Sequence, residues 1–148
     1  MTREILFRGK GLDGEWYYGY FTFLHKTTFC CKGDYEMYEG NDLPKIVYER
    51  MTDWGLPNRH LEVDVDINTV GQWTGMMDKK GKMIFEGDIV RKRVYDGVKP
   101  CKVVFSNGCF NCGYGSGSST AYHPYLLDDK NIEVIGNVYD NPELLGDM

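Results

Sequence analysis

Cys109-Phe110-Asn111-Cys112 has the most chemically suggestive spacing in the chain, because two thiolates two residues apart let one backbone knuckle hold zinc. Cys101, Cys30 and Cys31 are the other thiols such a site would draw on. A zinc site also calls for a second matched pair, and the sequence has none. A redox pair wants a helix start after a strand, whereas this one follows Asn107-Gly108 and runs into a glycine-rich segment. Positions three apart on a strand also point to opposite faces. The expectation is therefore separate structural thiols, with no metal and no cofactor. His25, His60 and His123 are scattered, and none stands at ligand spacing from another metal-binding residue type. Asp64 and Asp66 flank one apolar residue and share a strand face, where a divalent cation could sit. Alternate acids are also what the solvent side of a half-buried strand looks like, and that is the reading adopted. No acid, base and nucleophile converge, so catalysis is not expected.

Charge is more informative. From residue 79 to 102 there are eight basic side chains, including Lys79, Lys80, Lys82, Arg91, Lys92 and Arg93, against three acidic ones. From residue 34 to 66 nine acids face three bases. The whole chain carries a formal charge of −5, which repels phosphate backbones unless basic groups are concentrated in one place. Three readings follow from this asymmetry. One is a nucleic-acid face on Arg91-Lys92-Arg93. Another is charge-complementary docking with itself or a protein partner. The third is a solvated strand face that resists aggregation.

These residues need elements to position them. At 148 residues the chain fits one domain or two closely packed lobes. Its 42% hydrophobic and 26% charged fractions are ordinary for a globular protein, while 14% aromatic is high. Tyrosine and tryptophan suit pleated surfaces and interfaces. The five cysteines are odd in number, the N-terminus shows no apolar signal region, and no apolar run spans a membrane. A cytoplasmic setting with reduced thiols is expected.

The strand candidates are short. Residues 4–8 lead through Asp13-Gly14 into the aromatic run 16–24, and residues 27–38 form a further hairpin around Lys32-Gly33-Asp34. Residues 46–51 are too brief for periodicity to separate strand from helix. Val63, Val65 and Ile67 alternate with acids, predicting a half-buried strand. Asp96-Gly97 and Asn107-Gly108 predict a three-stranded meander over residues 89–112, and residues 132–139 return as a last strand. Asn141-Pro142-Glu143 predicts one capped helical turn. The fold class is mostly β. Two packed lobes are expected, an aromatic-rich one over residues 1–70 and a small SH3-like barrel over 71–148, with only short helical turns.

Between them, residues 71–90 concentrate backbone punctuation: Gly71, Trp73, Thr74, Gly75, Asp78, Gly81, Glu86, Gly87 and Asp88. Trp73 is expected as a core anchor with its N–H bonded to backbone. The pieces Ile5-Leu6-Phe7-Arg8, Gly14-Glu15-Trp16-Tyr17-Tyr18-Gly19, Val70-Gly71-Gln72-Trp73-Thr74-Gly75, residues 78–90 and residues 133–145 occur in one order across most of the chain. In these pieces the chain resembles the YopX family, small proteins encoded by bacteriophages and prophages. The resemblance implies a phage setting, a largely β fold and the bacterial cytoplasm; it brings no activity and no catalytic residues. The sequence reading is thus a non-catalytic accessory protein that binds itself or a protein partner, with nucleic-acid binding as the alternative.

Overall fold

The computed structural model describes residues 3–24, 43–94, 97–113, 125–126 and 131–146. The chain divides into two compact units, Leu6–Val70, and Gly71–Met148 together with Met1–Ile5. Both are built from antiparallel strands, and the helical elements among the described residues are two short 3-10 turns. No helix among the described residues is long and apolar enough to cross a membrane.

In the first unit β1 (Phe7–Lys10), β2 (Trp16–Leu24), β3 (Leu43–Arg50) and β4 (Arg59–Asp64) hydrogen-bond in the order β4-β3-β2-β1. The Asp13-Gly14 turn joins β1 to β2 as its composition predicts. Asp13 Oδ1 accepts the Glu15 N–H at 3.0 Å, Oδ2 accepts the Tyr17 hydroxyl at 2.6 Å, and Gly14 has φ 85°. The ambiguous run 46–51 is strand as far as Arg50: Ile46 is fully buried and pairs with Phe21 and Val63. The hairpin expected over residues 27–38 lies outside the described residues.

One alternation expectation fails. The strand begins earlier than predicted, at Arg59, and ends at Asp64, and Ile67 is 47% exposed. The cause is local capping. Asp66 Oδ1 accepts the Asn68 N–H at 2.9 Å, and the Thr69 hydroxyl donates to the Asp66 carbonyl at 2.7 Å. These bonds draw Ile67–Thr69 into a 3-10 helix. Val65 does reach the core, at 4% exposure and bridged to Gly11.

The second unit opens with a hairpin, β5 (Gly71–Met77) and β6 (Met83–Phe85), followed by β7 (Asp88–Val94), β8 (Gly97–Ser106), β9 (Cys109–Gly113), β10 (Tyr125–Leu126) and β11 (Glu133–Asn137). The meander forms as predicted, in the order β10-β9-β8-β7-β11. Asn107 and Gly108 both take positive φ, 52° and 78°, the requirement of a two-residue turn that matches strand twist. The recorded pairings form this open order. Among the described residues none closes it into the SH3-like barrel that the sequence suggests. The inner face buries Ile84, Val90, Cys101, Val103, Cys112 and Ile132 as one cluster. The last turn is a 3-10 helix, Pro142–Leu145, whose Asn141 makes no side-chain cap bond, contrary to expectation. Asn141 Oδ1 lies against Gly136 instead.

Residues 71–90 supply the unit's corners. Trp73 is half-buried, and its indole N–H donates to the Met76 carbonyl at 3.0 Å. Pairing between β5 and β6 shifts between Trp73 and Met77. The Thr74 hydroxyl spans the irregularity, donating to the Ile84 carbonyl at 2.9 Å and accepting the Met76 N–H at 3.2 Å. At the Glu86-Gly87-Asp88 corner, Asp88 is 1% exposed and its carboxylate accepts the Phe85 N–H at 2.8 Å. Gly87 has φ 85°, and a Cβ there would lie 3.0 Å from the Tyr139 ring. Its amide and carbonyl both work, the N–H donating to Val103 and the carbonyl accepting from Val138, each at 2.9 Å.

Candidate functional site

The basic residues sort by strand geometry. Arg91 and Arg93 are exposed on β7, and Lys92 between them is only 6% exposed. The three-residue basic face read from the sequence is thus corrected to two arginines. Side chains alternate along a strand, so Lys92 shares the inner face of Val90. Arg91 lies opposite Pro100 and Arg93 opposite Val98 on β8, and Lys102 follows on the same face of that strand. Two residues of extended chain separate the arginines by roughly 6.7 Å. Neither guanidinium has a hydrogen bond or ion pair among the described residues.

On the other side of β7, β11 places Glu133 opposite Arg91. The turn between β5 and β6 delivers two lysines to that carboxylate. Lys79 Nζ sits 2.7 Å from Glu133 Oε2, and Lys80 Nζ bonds Oε1. These two lysines hold the Glu133 carboxyl down to about 2, so it is ionised throughout the physiological range. Lys79, Arg91, Arg93, Val98, Asn131 and Glu133 line a pocket of about 300 Å³. Lys82 is exposed on the same turn but does not line the pocket.

Asp78 holds that turn in place. It is 7% exposed, and its carboxylate accepts three backbone N–H groups, from Lys80 at 2.8 Å, Lys82 at 2.9 Å and Val134 at 3.1 Å. Burial pushes its carboxyl up, but these donors outweigh burial and the net shift is downward. The Lys79 N–H adds a bond to the Ile132 carbonyl at 3.0 Å. The turn is therefore stapled to β11, and the lysines inherit that placement.

The other candidates separate. Cys109 and Cys112 point to opposite faces, so CxxC forms no knuckle. Cys109 lies half-buried beside Asn111, its sulfur 3.6 Å from Oδ1, and Cys112 is fully buried. Cys112 meets Cys101 instead. The thiols hydrogen-bond one another, and that bond together with burial pushes the Cys112 thiol up. Sequence spacing had no means of finding this pair, since the two sulfurs come from different strands. Asp64 is paired to Lys45 at 2.9 Å while Asp66 caps a turn, so the two do not form a cation site. His60 Nε2 lies 3.1 Å from Glu49 Oε1 on the surface. His25, His123, Cys30 and Cys31 lie outside the described residues. Among those described, no three His, Cys, Asp or Glu side chains gather as metal ligands.

In solved structures, protein EF1440 from Enterococcus faecalis is similar in fold, with TM-score 0.54 and 21% identity over 97% of this chain and 99% of that one. At that identity the likeness speaks for the fold alone. A search of curated proteins finds no match. The family model described as YopX protein matches residues 30–146, most of the chain. On that match the chain belongs to the YopX family.

Proposed function

We propose that this is a non-catalytic accessory protein that binds nucleic acid through its phosphate backbone, using the face of Arg91 and Arg93. The observation that carries this reading is the pair of exposed guanidiniums on one strand, neither of them bonded among the described residues, beside a pocket whose acid, Glu133, is already held by Lys79 and Lys80. Guanidinium binds phosphate through paired hydrogen bonds, and spacing along a strand resembles that of adjacent phosphates on one nucleic-acid strand. Lys102 on the same face adds charge. Val98 and Pro100 give the face little capacity to read base edges, so the binding is by backbone and weakly sequence-dependent. The phage setting implied by the family and the bacterial cytoplasm belong to this same reading.

A gel shift with a short duplex at low salt tests it. Wild-type protein should retard the duplex, and R91A/R93A should not. No retardation at low salt by the wild type would remove the reading. Glu133→Gln gives an independent check with the opposite sign. It deletes the pocket's negative charge and frees two lysines, so duplex affinity should rise several-fold, while a fall would count against this placement of the site.

A protein-binding role has a separate basis in the Leu6–Val70 unit. There Tyr18, Tyr20, Phe23, Met51, Trp54 and Leu56 are each more than half exposed, the composition expected of contact surfaces.

A further inference from the structure

The Leu6–Val70 unit carries two surface features that fit each other. The first is the tip of the β3–β4 hairpin, where Met51, Trp54 and Leu56 are 71%, 91% and 59% exposed. The tip is internally bonded. The Trp54 N–H donates to Asp53 Oδ1 at 2.7 Å, and the Leu56 N–H to the Asp53 carbonyl at 3.3 Å. An exposed tryptophan on a fixed turn is a preorganised anchor, since little further ordering is needed when it docks. At the base of the tip Arg50 and Arg59 stand directly opposite each other, both exposed. Neither has an ionic or hydrogen-bond partner among the described residues. Like charges opposite one another weaken a strand pair, and an acidic counter-surface would relieve them.

The second feature is a pocket of about 390 Å³ lined by Leu12, Asp13, Lys45, Glu62, Val63 and Asp64. Leu12, 81% exposed, and Val63 give it apolar wall. Its three carboxylates outnumber its one lysine. Asp13 stays ionised because the Tyr17 hydroxyl and the Glu15 N–H hold its carboxyl below the ordinary value.

Tip and pocket lie toward opposite ends of β4, the outermost described strand of this sheet. Two copies with their β4 strands antiparallel across a two-fold axis would bring each tip toward the other's pocket. With the strands centred on each other, Arg59 of one copy faces Asp64 of the second, and His60 faces Val63. A two-fold interface requires this reciprocity, in which a first patch meets a second and the second meets the first. We propose that the β4 edge, with the Trp54 tip at one end and the acid-rimmed pocket at the other, is a dimerisation surface for a second copy of this chain. It shares no residue with the Arg91/Arg93 face and stands whether or not that face binds nucleic acid.

Sedimentation equilibrium of the full chain up to ~100 µM should show a monomer–dimer equilibrium. Trp54→Ala and the pair R50E/R59E should each weaken it ~10-fold or more, with Tm close to wild type because all three residues are exposed. Glu62→Arg should weaken it as well. Mixing R50E/R59E with E62R should then restore association, because the acidic tip now meets a pocket with no net negative charge and the basic tip still meets an acidic one. A merely structural effect of these substitutions gives no such rescue. The proposal is overturned if the wild type stays monomeric over this range, or if it dimerises indifferently to Trp54→Ala and R50E/R59E. It is equally overturned if the monomer instead docks its Trp54 tip on phosphatidylserine-containing vesicles.

Discussion

Asp78→Ala is expected to lower the unfolding free energy by about 3–5 kcal/mol. The carboxylate is buried and serves three backbone N–H groups, two in its own turn and one on β11. Alanine leaves all three part-buried N–H groups without their side-chain acceptor. Asp78→Asn should cost about 2–3 kcal/mol, since one oxygen remains to serve the turn while the amide presents a donor to the others. Urea denaturation at neutral pH measures both. A loss under about 1 kcal/mol for Asp78→Ala would mean that the staple to β11 contributes little.

Acid should reproduce part of this effect. Asp78 titrates below its ordinary 3.8 in the folded chain and Glu133 falls from 4.5 to about 2. Each depressed carboxyl contributes stability that is complete above its unfolded value and disappears as pH falls through its folded one. The stability curve should therefore decline from near pH 4.5 toward pH 2, and Glu133→Gln should flatten that decline. A decline of unchanged steepness in Glu133→Gln would place the acid sensitivity elsewhere.

Gly71→Ala is the second large effect, expected at about 2–4 kcal/mol. A Cβ at Gly71 would run into the Glu86 carbonyl oxygen, with the Glu86 carbonyl carbon at 3.2 Å. Those are backbone atoms, and Glu86 is itself fixed by its N–H bond to the Gln72 carbonyl at 2.9 Å. Nothing flexible can move aside, so the hairpin of β5 and β6 must part. Thermal unfolding should show a drop of several degrees, and a Tm within about a degree of wild type would contradict the close approach.

The legible parts of this molecule are local. Asn107-Gly108 announces its turn because few other dipeptides accept positive φ twice in succession, and β7, β8 and β9 follow from the apolar runs on either side. Lys92 was equally legible: strict alternation separates it from Arg91 and Arg93, and reading three basic residues as one face ignored the period. Ile67 misled because alternation carries on past the point where Asp66 caps a turn. A side chain that bonds backbone two residues on outcompetes strand pairing without altering the apolar pattern.

The pocket was not legible at all. Lys79 and Glu133 are far apart in sequence and meet because Asp78 reaches Val134 and the Lys79 N–H reaches the Ile132 carbonyl. Sequence density at residues 71–90 therefore marked the right place for the wrong reason. It looks like a site, yet Asp78, Gly87, Asp88 and Thr74 spend their hydrogen bonds on backbone. The side chains left over for a partner are Lys82 on its turn and the arginines of the next strand, since Lys79 and Lys80 are held by Glu133.

If Arg91 and Arg93 hold phosphate, the salt dependence of duplex binding must show it. Each neutralised phosphate contributes close to one unit to the slope of log affinity against log salt concentration. Fluorescence anisotropy of a labelled duplex across a salt series should give a linear decline for the wild type, and R91A/R93A should be shallower by about two units. An unchanged slope in R91A/R93A would show that these arginines touch no phosphate and that this face is not the binding site.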